Sequence, residues 1–375
     1  MKRNRTIVFY LDRLEMGGVE RIVLNLIKGM KGKEWTPRLV LNRLEGALLK
    51  ELPSEVPLHS LNAHHLPSAV LSLARFLKKE RPAILVSQRA YLNVIAAAAI
   101  QLSGRKTKLV LTEHTLLSEW WKDSRMPQRP IDRLLCGLLP MIGRMADAVV
   151  GISQGVAREL EKTLKLPRER IHILYNPIIP EDLEEKIVQP IVEPWPKDEI
   201  PLVLAVGRLS PEKGYDLLLE AFAKLKSEAR LAVIGNGPEL PRLEELVARL
   251  RLSEKVFFLG YQSNPFPWIE RADLLALSSV LDSFPTVLVE AMALGKPIVA
   301  FDCPHGPGEI IQHGENGLLV PPKDPAALAR SMEKVLGDPP LALRLGRGGR
   351  LRAQDFRFET TVRAYERLFQ NLLDK

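Results

Sequence analysis

Short apolar runs rich in β-branched residues alternate along this chain with segments in which apolar residues recur every three or four positions. The first half contains the runs TIVFYL, PRLVLN, AILVSQ, KLVLTEH, DAVVGIS and RIHILYN, and the second half contains PLVLAVG, RLAVIGNG, KVFFLG, DLLALSS and KPIVAFD. Near-continuous apolar strands separated by helices are typical of parallel sheets that are covered on both faces. The pattern predicts an α/β protein with two Rossmann-like, doubly wound parallel-sheet domains.

A proline-rich stretch separates the two series of strands. Residues 176–201 contain six prolines, and proline removes a backbone donor and disfavours a helix before it. At 375 residues the chain also exceeds the usual size of a single core. We therefore predict an N-terminal domain over 1–180, a linker without regular elements over 181–200 and a C-terminal domain over 201–356.

The last segment of the chain, about 357–375, has the period of an amphipathic helix. Its apolar face consists of Val362, Tyr365, Leu368 and Leu372. We expect this helix to pack back on the N-terminal domain.

Composition excludes several classes of protein. The two cysteines, Cys136 and Cys303, have no paired spacing, which argues against a disulfide framework or a cysteine-rich metal site. The apolar run near the N-terminus is too short for a signal peptide, and YLNVIAAAAIQL is shorter than the ~20 residues that a membrane span needs. We expect a cytoplasmic protein that does not cross a membrane.

The net charge of +8 is unevenly distributed. Residues 1–180 hold 29 lysines and arginines against 16 acidic residues, whereas residues 181–375 hold 24 against 29. Such asymmetry indicates either a face for an anionic partner, a nucleic acid or a lipid surface, or an ordinary solvated basic surface.

Parallel sheets bind ligands at the carboxyl ends of their strands, and two facing domains would enclose a cleft there. Gly17 and Gly18 follow the first strand and open a helix, whose free amides form an anion site unless the pair only reverses the chain. Arg208 and Lys213 follow the first strand of the second series and suit a diphosphate, although they are also compatible with a solvated loop. His114 directly follows a buried strand, where it can hydrogen-bond a polar substrate, although a lone histidine is more often structural.

The stretch LDSFPTVLVEAMALGKPIVAFD contains a carboxylate, Glu290, inside an apolar helix, eight positions after Asp282. Ser283 or Asp282 is expected to cap this helix, with Pro285 in its first turn. An unpaired charge in an apolar environment is unfavourable, so Glu290 needs a partner. That partner is either a ligand that supplies hydroxyls or a cation such as Lys296 or Arg271.

Taken together, these residues resemble the retaining glycosyltransferases of glycosyltransferase family 4, which have the GT-B fold. The resemblance covers nearly the whole chain. It is carried by GGVER, VVGISQGVARELEK, ILYNP, VGRLSPEKGYDLLLEAF, LAVIGNGPE, VFFLGYQSN and DSFPTVLVEAMALGKPIVAFDCPHGPGEIIQHGENGLLVPPKDP. The combination is specific, and its central signature is a carboxylate followed after seven residues by a glutamate, here Asp282 and Glu290.

The resemblance implies a role for each matching residue. Arg208 and Lys213 would bind the donor diphosphate, Glu290 the ribose hydroxyls and Asp282 the transferred sugar, which His114 would also contact near the reacting carbon. These four, His114, Arg208, Lys213 and Asp282, form the predicted catalytic set. The donor site would also include Gly17, Gly18, Gly207, Gly235, Asn236, Tyr261, Gln262, Ser283, Phe284, Pro285, Thr286 and Val287.

Two features depart from the family pattern. The first carboxylate is commonly Glu but is Asp282 here, and Pro285 stands where many relatives have glycine, which removes one amide from the phosphate site. The string FDCPHGPGEII also replaces the usual glycine-rich loop. It is similar to the subgroup that builds bacterial surface polysaccharides and lipid-linked oligosaccharides from UDP-hexoses.

The resemblance further implies a UDP-sugar donor, a glycolipid or oligosaccharide acceptor, and transfer with retention of configuration. No resident metal is expected, because an Asp-x-Asp motif is absent from the sequence and cations can stabilise the leaving group. The basic, aromatic segment around Trp120 and Trp121, with Lys122, Arg125, Arg129 and Arg133, suits either a helix at an anionic membrane surface or a packed domain helix with a solvated side. The protein is expected to be cytoplasmic or peripheral at the inner face of the membrane.

Four alternatives remain at this point. A soluble glycosyltransferase that makes a small glycoside would keep every donor residue. A UDP-sugar epimerase of similar fold would need no acceptor, and a sugar-binding protein would bind the donor without turnover. Nucleic-acid binding would use the positive half, but no recognised motif supports it.

Overall fold

The structure is a computed structural model that describes residues 5–15, 17–30, 32, 34–104, 106–116, 130–195 and 199–374, with the side chains of 130–136 excepted. The chain forms two compact units. One comprises Met1–Pro177 together with Phe358–Lys375, and the other comprises Ile178–Arg357.

The first unit is built on a seven-stranded parallel sheet with the strand order β3-β2-β1-β4-β5-β6-β7. Its strands are β1 (Thr6–Leu11), β2 (Thr36–Leu41), β3 (Leu58–Ser60), β4 (Ile84–Gln88), β5 (Lys108–Glu113), β6 (Ala148–Gly151) and β7 (Ile171–Ile173). Its helices are α1 (Gly18–Met30), α2 (Leu66–Glu80), α3 (Ala90–Ser103), α4 (Pro130–Met145), α5 (Gln154–Leu164) and the last helix of the chain, Phe358–Asp374.

The core of the first unit lies on both faces of its central strands. From Ile7 to Leu11, β1 is buried at every position, as expected for a parallel strand between two helical layers. The last helix buries the predicted apolar face. Its Phe369 ring meets the Trp35 ring edge to face at a centroid distance of 5.8 Å, and its Val362 packs against Gly29 of α1.

The second unit has a six-stranded parallel sheet with the order β10-β9-β8-β11-β12-β13. Its strands are β8 (Leu202–Val206), β9 (Arg230–Ile234), β10 (Val256–Gly260), β11 (Leu274–Leu277), β12 (Ile298–Phe301) and β13 (Leu318–Val320). Its helices are α6 (Leu183–Ile187), α7 (Tyr215–Phe222), α8 (Leu240–Arg249), α9 (Phe266–Arg271), α10 (Thr286–Ala293), α11 (Pro307–Ile310), α12 (Pro325–Leu336) and α13 (Pro339–Ala353). The last helix of the chain is therefore α14.

The proline-rich segment is attached to the second unit and is not devoid of structure. The five-residue helix α6 lies within it, which contradicts the expectation of a segment without elements. The interval from Glu181 to Gln189 contains no proline, so a helical turn can form there. Trp195 then packs on the rings of Phe257 and Trp268, with ring centroids 4.8 and 6.0 Å away.

The two predicted parallel sheets are confirmed, with one additional strand in each. The eleven runs that the sequence analysis identifies all contain strands, whereas β3 and β13 were missed. Both are three-residue strands at a sheet edge. The residues of β3 are largely exposed, and the apolar run of β13 has only three residues before two prolines. Among the helices within the described residues, none combines the length and apolar composition that a bilayer span requires.

Candidate active site

Backbone hydrogen bonds join the ends of β8, β9 and β10 and the loops that follow them at the carboxyl edge of the second sheet. The Gly207 amide donates to the Ile234 carbonyl, the Gly235 amide to the Gly260 carbonyl and the Leu209 amide to the Asn236 carbonyl, all at 2.9–3.0 Å. Gly235 has a φ of 139°, and an added Cβ would lie 1.9 Å from the Gly207 carbonyl oxygen. These loops therefore approach each other more closely than a side chain at Gly235 would permit.

Replacing Gly235 by alanine is expected to destabilise the second unit, because one backbone segment must move away from the other. Overpacking of this kind costs about 1–3 kcal/mol, in addition to the strain of an alanine at positive φ. Gly314→Ala is the matched control, since Gly314 also has a positive φ of 80° but an added Cβ would meet open space. Thermal unfolding should therefore show a larger loss for Gly235→Ala, and equal losses would contradict the close approach of the two loops.

Lys213 and Asp282 form the central ion pair of the second unit. The Lys213 Nζ lies 2.6 Å from the Asp282 Oδ2, which also accepts a hydrogen bond from the Ser279 hydroxyl at 3.3 Å. The Lys213 loop is held by Ser278, whose hydroxyl donates to the Lys213 carbonyl at 3.0 Å. Gly214 has a φ of 60°, and an added Cβ would lie 2.4 Å from the Ser278 carbonyl oxygen. The loop after β8 is thereby fixed against the loop after β11.

Arg208 lies at the end of β8 and differs from Lys213 in its environment. Its side chain is exposed. Within the described part of the chain no hydrogen bond or ion pair engages its guanidinium, whereas its carbonyl accepts from the Ser210 amide at 2.9 Å. A guanidinium offers a planar fork of donors that suits phosphate oxygens. At this edge of the second sheet, the Arg208 guanidinium is therefore available to a ligand, whereas the Lys213 ammonium already pairs with Asp282.

The helix that carries Glu290 begins later than predicted. Helix α10 starts at Thr286 with Pro285 as its N-cap residue, and no side chain caps it, so the expected cap by Ser283 or Asp282 is wrong. The reason is that the Asp282 carboxylate is committed to Lys213 and Ser279. The amides of Thr286 and Val287 have no acceptor among the described residues, as is usual for a first helical turn.

Glu290 lies one and a half turns into α10 and is half-buried. Burial raises the pKa of its carboxyl to about 7. The two cations considered as partners are committed elsewhere, since Lys296 lies 3.6 Å from Glu270 and Arg271 lies 2.8 Å from Glu193. A structural ion pair for Glu290 is therefore contradicted, and within the described residues its carboxyl has no hydrogen-bond donor.

The two residues that depart from the family pattern, Asp282 and Pro285, lie against the same loop in the structure. The loop after β12 packs on the turn before α10, and a Cβ added at Gly306 would lie 2.7 Å from the Pro285 Cδ and 2.8 Å from the Asp282 carbonyl oxygen. Cys303 is buried beside Asp282, and burial raises the pKa of its thiol to about 12. Pro285 and the loop from Cys303 to Gly306 therefore shape one turn together.

In the first unit, His114 lies directly after β5 and is buried. Its Nε2 is 2.6 Å from the Oε1 of Gln88, the last residue of β4. Burial, reinforced by the positive charge of Arg89, lowers the pKa of His114 to about 3, so its imidazole is neutral at physiological pH. The preceding residue, Glu113, is also buried, and its Oε1 accepts from the His114 amide at 3.1 Å and the Thr115 hydroxyl at 3.2 Å. Burial raises the pKa of Glu113 to about 7 despite these hydrogen bonds.

An ion pair between Glu20 and Arg89 joins α1 to the start of α3 in the first unit. Glu20 is buried, and its carboxylate lies 3.0 Å from the guanidinium of Arg89, which is 40% exposed. Arg89 has a φ of 76°, an uncommon conformation for a residue other than glycine, and its amide donates to the Thr112 carbonyl. A Cβ added at Gly17 would lie 2.1 Å from the Glu20 carboxylate, so Gly17 leaves room for this pair, whereas Gly18 has open space.

The structure brings together several predicted site residues within each unit. In the second unit Lys213 contacts Asp282, and Arg208 follows the same strand as Lys213. Tyr261 and Asn236 are exposed, and the Gln262 amide donates to the Leu259 carbonyl at 2.8 Å. The predicted residues on the turn into α10 and in its first turn are Ser283, Phe284, Pro285, Thr286 and Val287. The first unit places Gly17, Gly18 and His114 after β1 and β5.

Gln88, Arg89 and Glu113 were not among the predicted site residues, and Glu20 was given no role. Each of these polar residues lies at a strand end or in the first turn of the following helix, which is the signal that could have found them. The segment with Trp120, Trp121, Lys122, Arg125 and Arg129 lies outside the described residues. Among the residues that the structure describes, no cluster of three metal-binding side chains occurs.

The chemistry of the second unit suits an anionic, hydroxyl-bearing ligand. Arg208 and the first-turn amides of α10 are available to phosphate oxygens, and the Glu290 carboxylate is available to hydroxyl donors. The Asp282 carboxylate keeps Lys213 in place and has further lone pairs for a sugar hydroxyl. The first unit adds a neutral histidine.

Comparison with known proteins identifies two family patterns in the chain. Residues 16–182 match the family described as Glycosyltransferase Family 4, and residues 190–352 match the one described as Glycosyl transferases group 1. A curated relative, the N-acetylgalactosamine-N,N'-diacetylbacillosaminyl-diphospho-undecaprenol 4-alpha-N-acetylgalactosaminyltransferase of Campylobacter jejuni, is 27% identical over 92% of this chain and 94% of its own length. The N-acetyl-alpha-D-glucosaminyl L-malate synthase of Bacillus anthracis is 28% identical over 85% of this chain and 84% of its own length.

A solved structure has the same fold. Anabaena HepE in complex with UDP superposes with a TM-score of 0.78 at 21% identity, and the match covers 98% of this chain and 100% of HepE. At this level of identity the likeness concerns the fold, and it confirms the predicted GT-B class with two Rossmann-like domains.

Proposed function

We propose that this chain, which belongs to glycosyltransferase family 4 and is a glycosyltransferase, transfers a hexose or N-acetylhexosamine from a nucleotide diphosphate sugar, with UDP favoured. The acceptor is a lipid-linked saccharide or polysaccharide in the synthesis of cell-envelope glycans. The observation that carries the proposal is the Lys213–Asp282 pair, which joins the loops after β8 and β11. The exposed Arg208 at the end of β8 and the Glu290 carboxyl in α10 support it. The Campylobacter relative, whose name specifies a diphospho-undecaprenol acceptor, supports the acceptor class.

In the proposed reaction the second unit binds the donor. Arg208 and Lys213 offset the charge that develops on the departing diphosphate, and fixed charges aimed at a leaving group act most strongly in the transition state. The first-turn amides of α10 contribute to the same anion site. Glu290 accepts the ribose hydroxyls and Asp282 the hydroxyls of the transferred sugar, and the loops of Gly235, Asn236, Tyr261 and Gln262 flank the base.

We propose further that the configuration of the transferred sugar is retained. The departing diphosphate then assists the deprotonation of the acceptor hydroxyl on the same face, so the protein needs no carboxylate nucleophile. His114 contacts the transferred sugar as a neutral imidazole. Because the cations supply the charge stabilisation, the proposal includes no resident metal.

A second candidate function is the synthesis of a small soluble glycoside. The Bacillus anthracis relative, an N-acetyl-alpha-D-glucosaminyl L-malate synthase by name, supports it because the match extends over most of both chains. This candidate keeps every proposed donor residue and replaces only the acceptor.

Product analysis distinguishes these possibilities. The purified protein is incubated with UDP-, GDP- and ADP-linked hexoses and N-acetylhexosamines, with either a lipid extract containing diphospho-polyprenol saccharides or a panel of small hydroxy acids, with and without EDTA. We expect UDP release and a glycolipid one sugar larger, unaffected by EDTA, with an anomeric configuration equal to that of the donor. A product only with small acceptors supports the second candidate, whereas an isomerised UDP-sugar, or donor binding without product, overturns the proposal.

We also propose that the basic first unit associates with an anionic membrane surface through the segment around Trp120 and Trp121. Flotation with vesicles containing anionic lipid should carry the protein upward at low salt, and less so at high salt, because exposed charges are screened. Vesicles of zwitterionic lipid are the control. Replacing Trp120 and Trp121 by serine should reduce flotation, and an absence of binding to anionic vesicles at low salt would contradict the membrane proposal.

A further inference from the structure

Unsatisfied buried polar atoms concentrate at one place in the first unit. Of the buried side-chain polar atoms without a partner in the described part of the chain, four belong to β4, the residue after β5 and the first turn of α3. They are the Ser87 hydroxyl, the Gln88 Nε2, the Asn93 Oδ1 and the His114 Nδ1. The nearby Thr112 hydroxyl pairs with the hydroxyl of Tyr365. Because native structures rarely leave such atoms unpaired, a cluster of them requires a specific explanation.

Two of these four atoms, the Gln88 Nε2 and the His114 Nδ1, belong to side chains that hydrogen-bond each other through their other polar atoms. Gln88 is fully buried and His114 is 6% exposed, and the distance between the Gln88 Oε1 and the His114 Nε2 is 2.6 Å. An amide oxygen only accepts hydrogen bonds, so a hydrogen bond between these two atoms requires the proton on the imidazole Nε2. A neutral imidazole with Nε2 protonated has a lone pair on Nδ1, which is the unsatisfied acceptor of this side chain.

The neighbouring groups keep the imidazole neutral and oriented. Burial lowers the pKa of His114, and the positive charge of Arg89, which follows Gln88 directly, lowers it further. Glu113 holds the backbone on the other side, because its carboxyl accepts from the His114 amide. The ring is therefore constrained on one side by Gln88 and through its backbone by Glu113.

We propose that Gln88 is a positioning residue that holds His114 in the Nε2–H tautomer, so that Nδ1 accepts a hydrogen bond from a hydroxyl of the carbohydrate substrate. The proposal rests on the proposed function and deepens it by assigning the direction of the hydrogen bond. A substrate hydroxyl satisfies the Nδ1 acceptor, which has no donor among the described residues. With the opposite tautomer, Nδ1 would carry a proton and could only donate.

The tautomer can be measured without any reaction. In the intact protein with 15N-labelled histidine, long-range nitrogen–proton NMR spectra distinguish an imidazole protonated at Nε2 from one protonated at Nδ1. The His114→Asn variant identifies the signal. We expect the Nε2–H pattern, unchanged between pH 6 and 8, and an Nδ1–H pattern or a protonated ring would overturn the proposal.

Variants of Gln88 connect the tautomer with activity. Gln88→Met removes the acceptor with little change in volume, and we expect a mixture of tautomers and a fall of about 10-fold or more in kcat/KM for sugar transfer, as for the loss of a buried hydrogen bond. UDP binding should be unchanged. Asn93→Leu is the matched control, since it removes a buried amide that makes no hydrogen bond to His114. The tautomer of His114 in this variant should equal that in the unmodified protein.

Gln88→Glu provides a second test if the methionine variant folds poorly. The carboxylate still accepts from Nε2 but favours a doubly protonated ring, whose Nδ1 cannot accept. Transfer should therefore be lost at low pH and recover as the pH rises, whereas the unmodified protein shows no such step from His114. Separate KM values for donor and acceptor show which substrate supplies the hydroxyl. Normal transfer by Gln88→Met, or by Gln88→Glu at all pH values, would refute the role of Gln88, while absence of transfer by the unmodified protein would refute the proposed function instead.

Discussion

Replacing Arg208 by alanine should lower kcat/KM for sugar transfer about 100- to 1,000-fold with little change in thermal stability. Removing one oriented group that stabilises transition-state charge typically has this effect. The Arg208 side chain is exposed and has no partner among the described residues, so the folded state loses no contact. The rate of UDP release in the presence of acceptor, measured over a range of donor concentrations, gives kcat/KM, and thermal unfolding gives the stability.

Lys213→Ala should produce a similar loss of activity together with a loss of stability. Its Nζ neutralises Asp282, whose side chain is 10% exposed, and a poorly solvated carboxylate without its cation costs about 1–3 kcal/mol. The double variant Lys213→Met with Asp282→Asn should recover stability but not transfer, which separates the two roles of the lysine. Exposed cations of the same unit, Arg249 and Lys255, supply alanine controls. Near-normal transfer by Arg208→Ala or Lys213→Ala would contradict the diphosphate assignment.

The ion pair also shows what a local pattern can and cannot predict. Arg208 and Lys213 were identified because each lies just after a strand, and the carboxyl edge of a parallel sheet is a general ligand position. The Lys213–Asp282 contact, however, joins residues 69 positions apart on two loops. It depends on the neighbouring positions of β8 and β11 in the sheet, which the order of strands along the chain does not reveal. Asp282 was therefore expected to cap α10, although its carboxylate is occupied.

In the first unit, the partners of the buried residues were likewise not predictable from the local sequence. His114 stood out because it follows a run of apolar residues, but its partner Gln88 is 26 positions away on the adjacent strand. Glu113 was overlooked because a glutamate at the end of a strand is usually solvated, whereas here helices cover the strand end. Long, apolar strands were predicted correctly because buried strands leave a hydrophobic run in the sequence. Strand β3 was missed because its residues are largely exposed, and β13 because its apolar run has only three residues.

Glu290→Gln should stabilise the protein above neutral pH while weakening the binding of UDP. Burial raises the carboxyl pKa from its usual 4.5 to about 7 in the folded state. The folded protein therefore binds more protons than the unfolded chain between these values, and its stability falls as the pH rises from 4.5 to 7. Glutamine does not titrate, so the stability of the variant relative to the unmodified protein should rise with pH and level off above pH 7. Glu244→Gln, at an exposed position of α8, should leave this dependence unchanged.

The affinity of Glu290→Gln for UDP should fall although its stability rises. The reason is that an ionised Glu290 accepts charge-assisted hydrogen bonds from the ribose hydroxyls. Each such bond contributes about 1.5–3 kcal/mol, so the variant should bind UDP about 10- to 100-fold more weakly at pH 8. The difference in UDP affinity between the unmodified protein and the variant should become smaller toward pH 6, where the Glu290 carboxyl of the unmodified protein is largely protonated. UDP titrates in the same range but does so equally for both proteins, so calorimetry on the pair isolates the contribution of Glu290. A variant that gains stability and still binds UDP normally would mean that the half-buried carboxyl has no ribose partner, and the assignment of Glu290 to the donor would then be wrong.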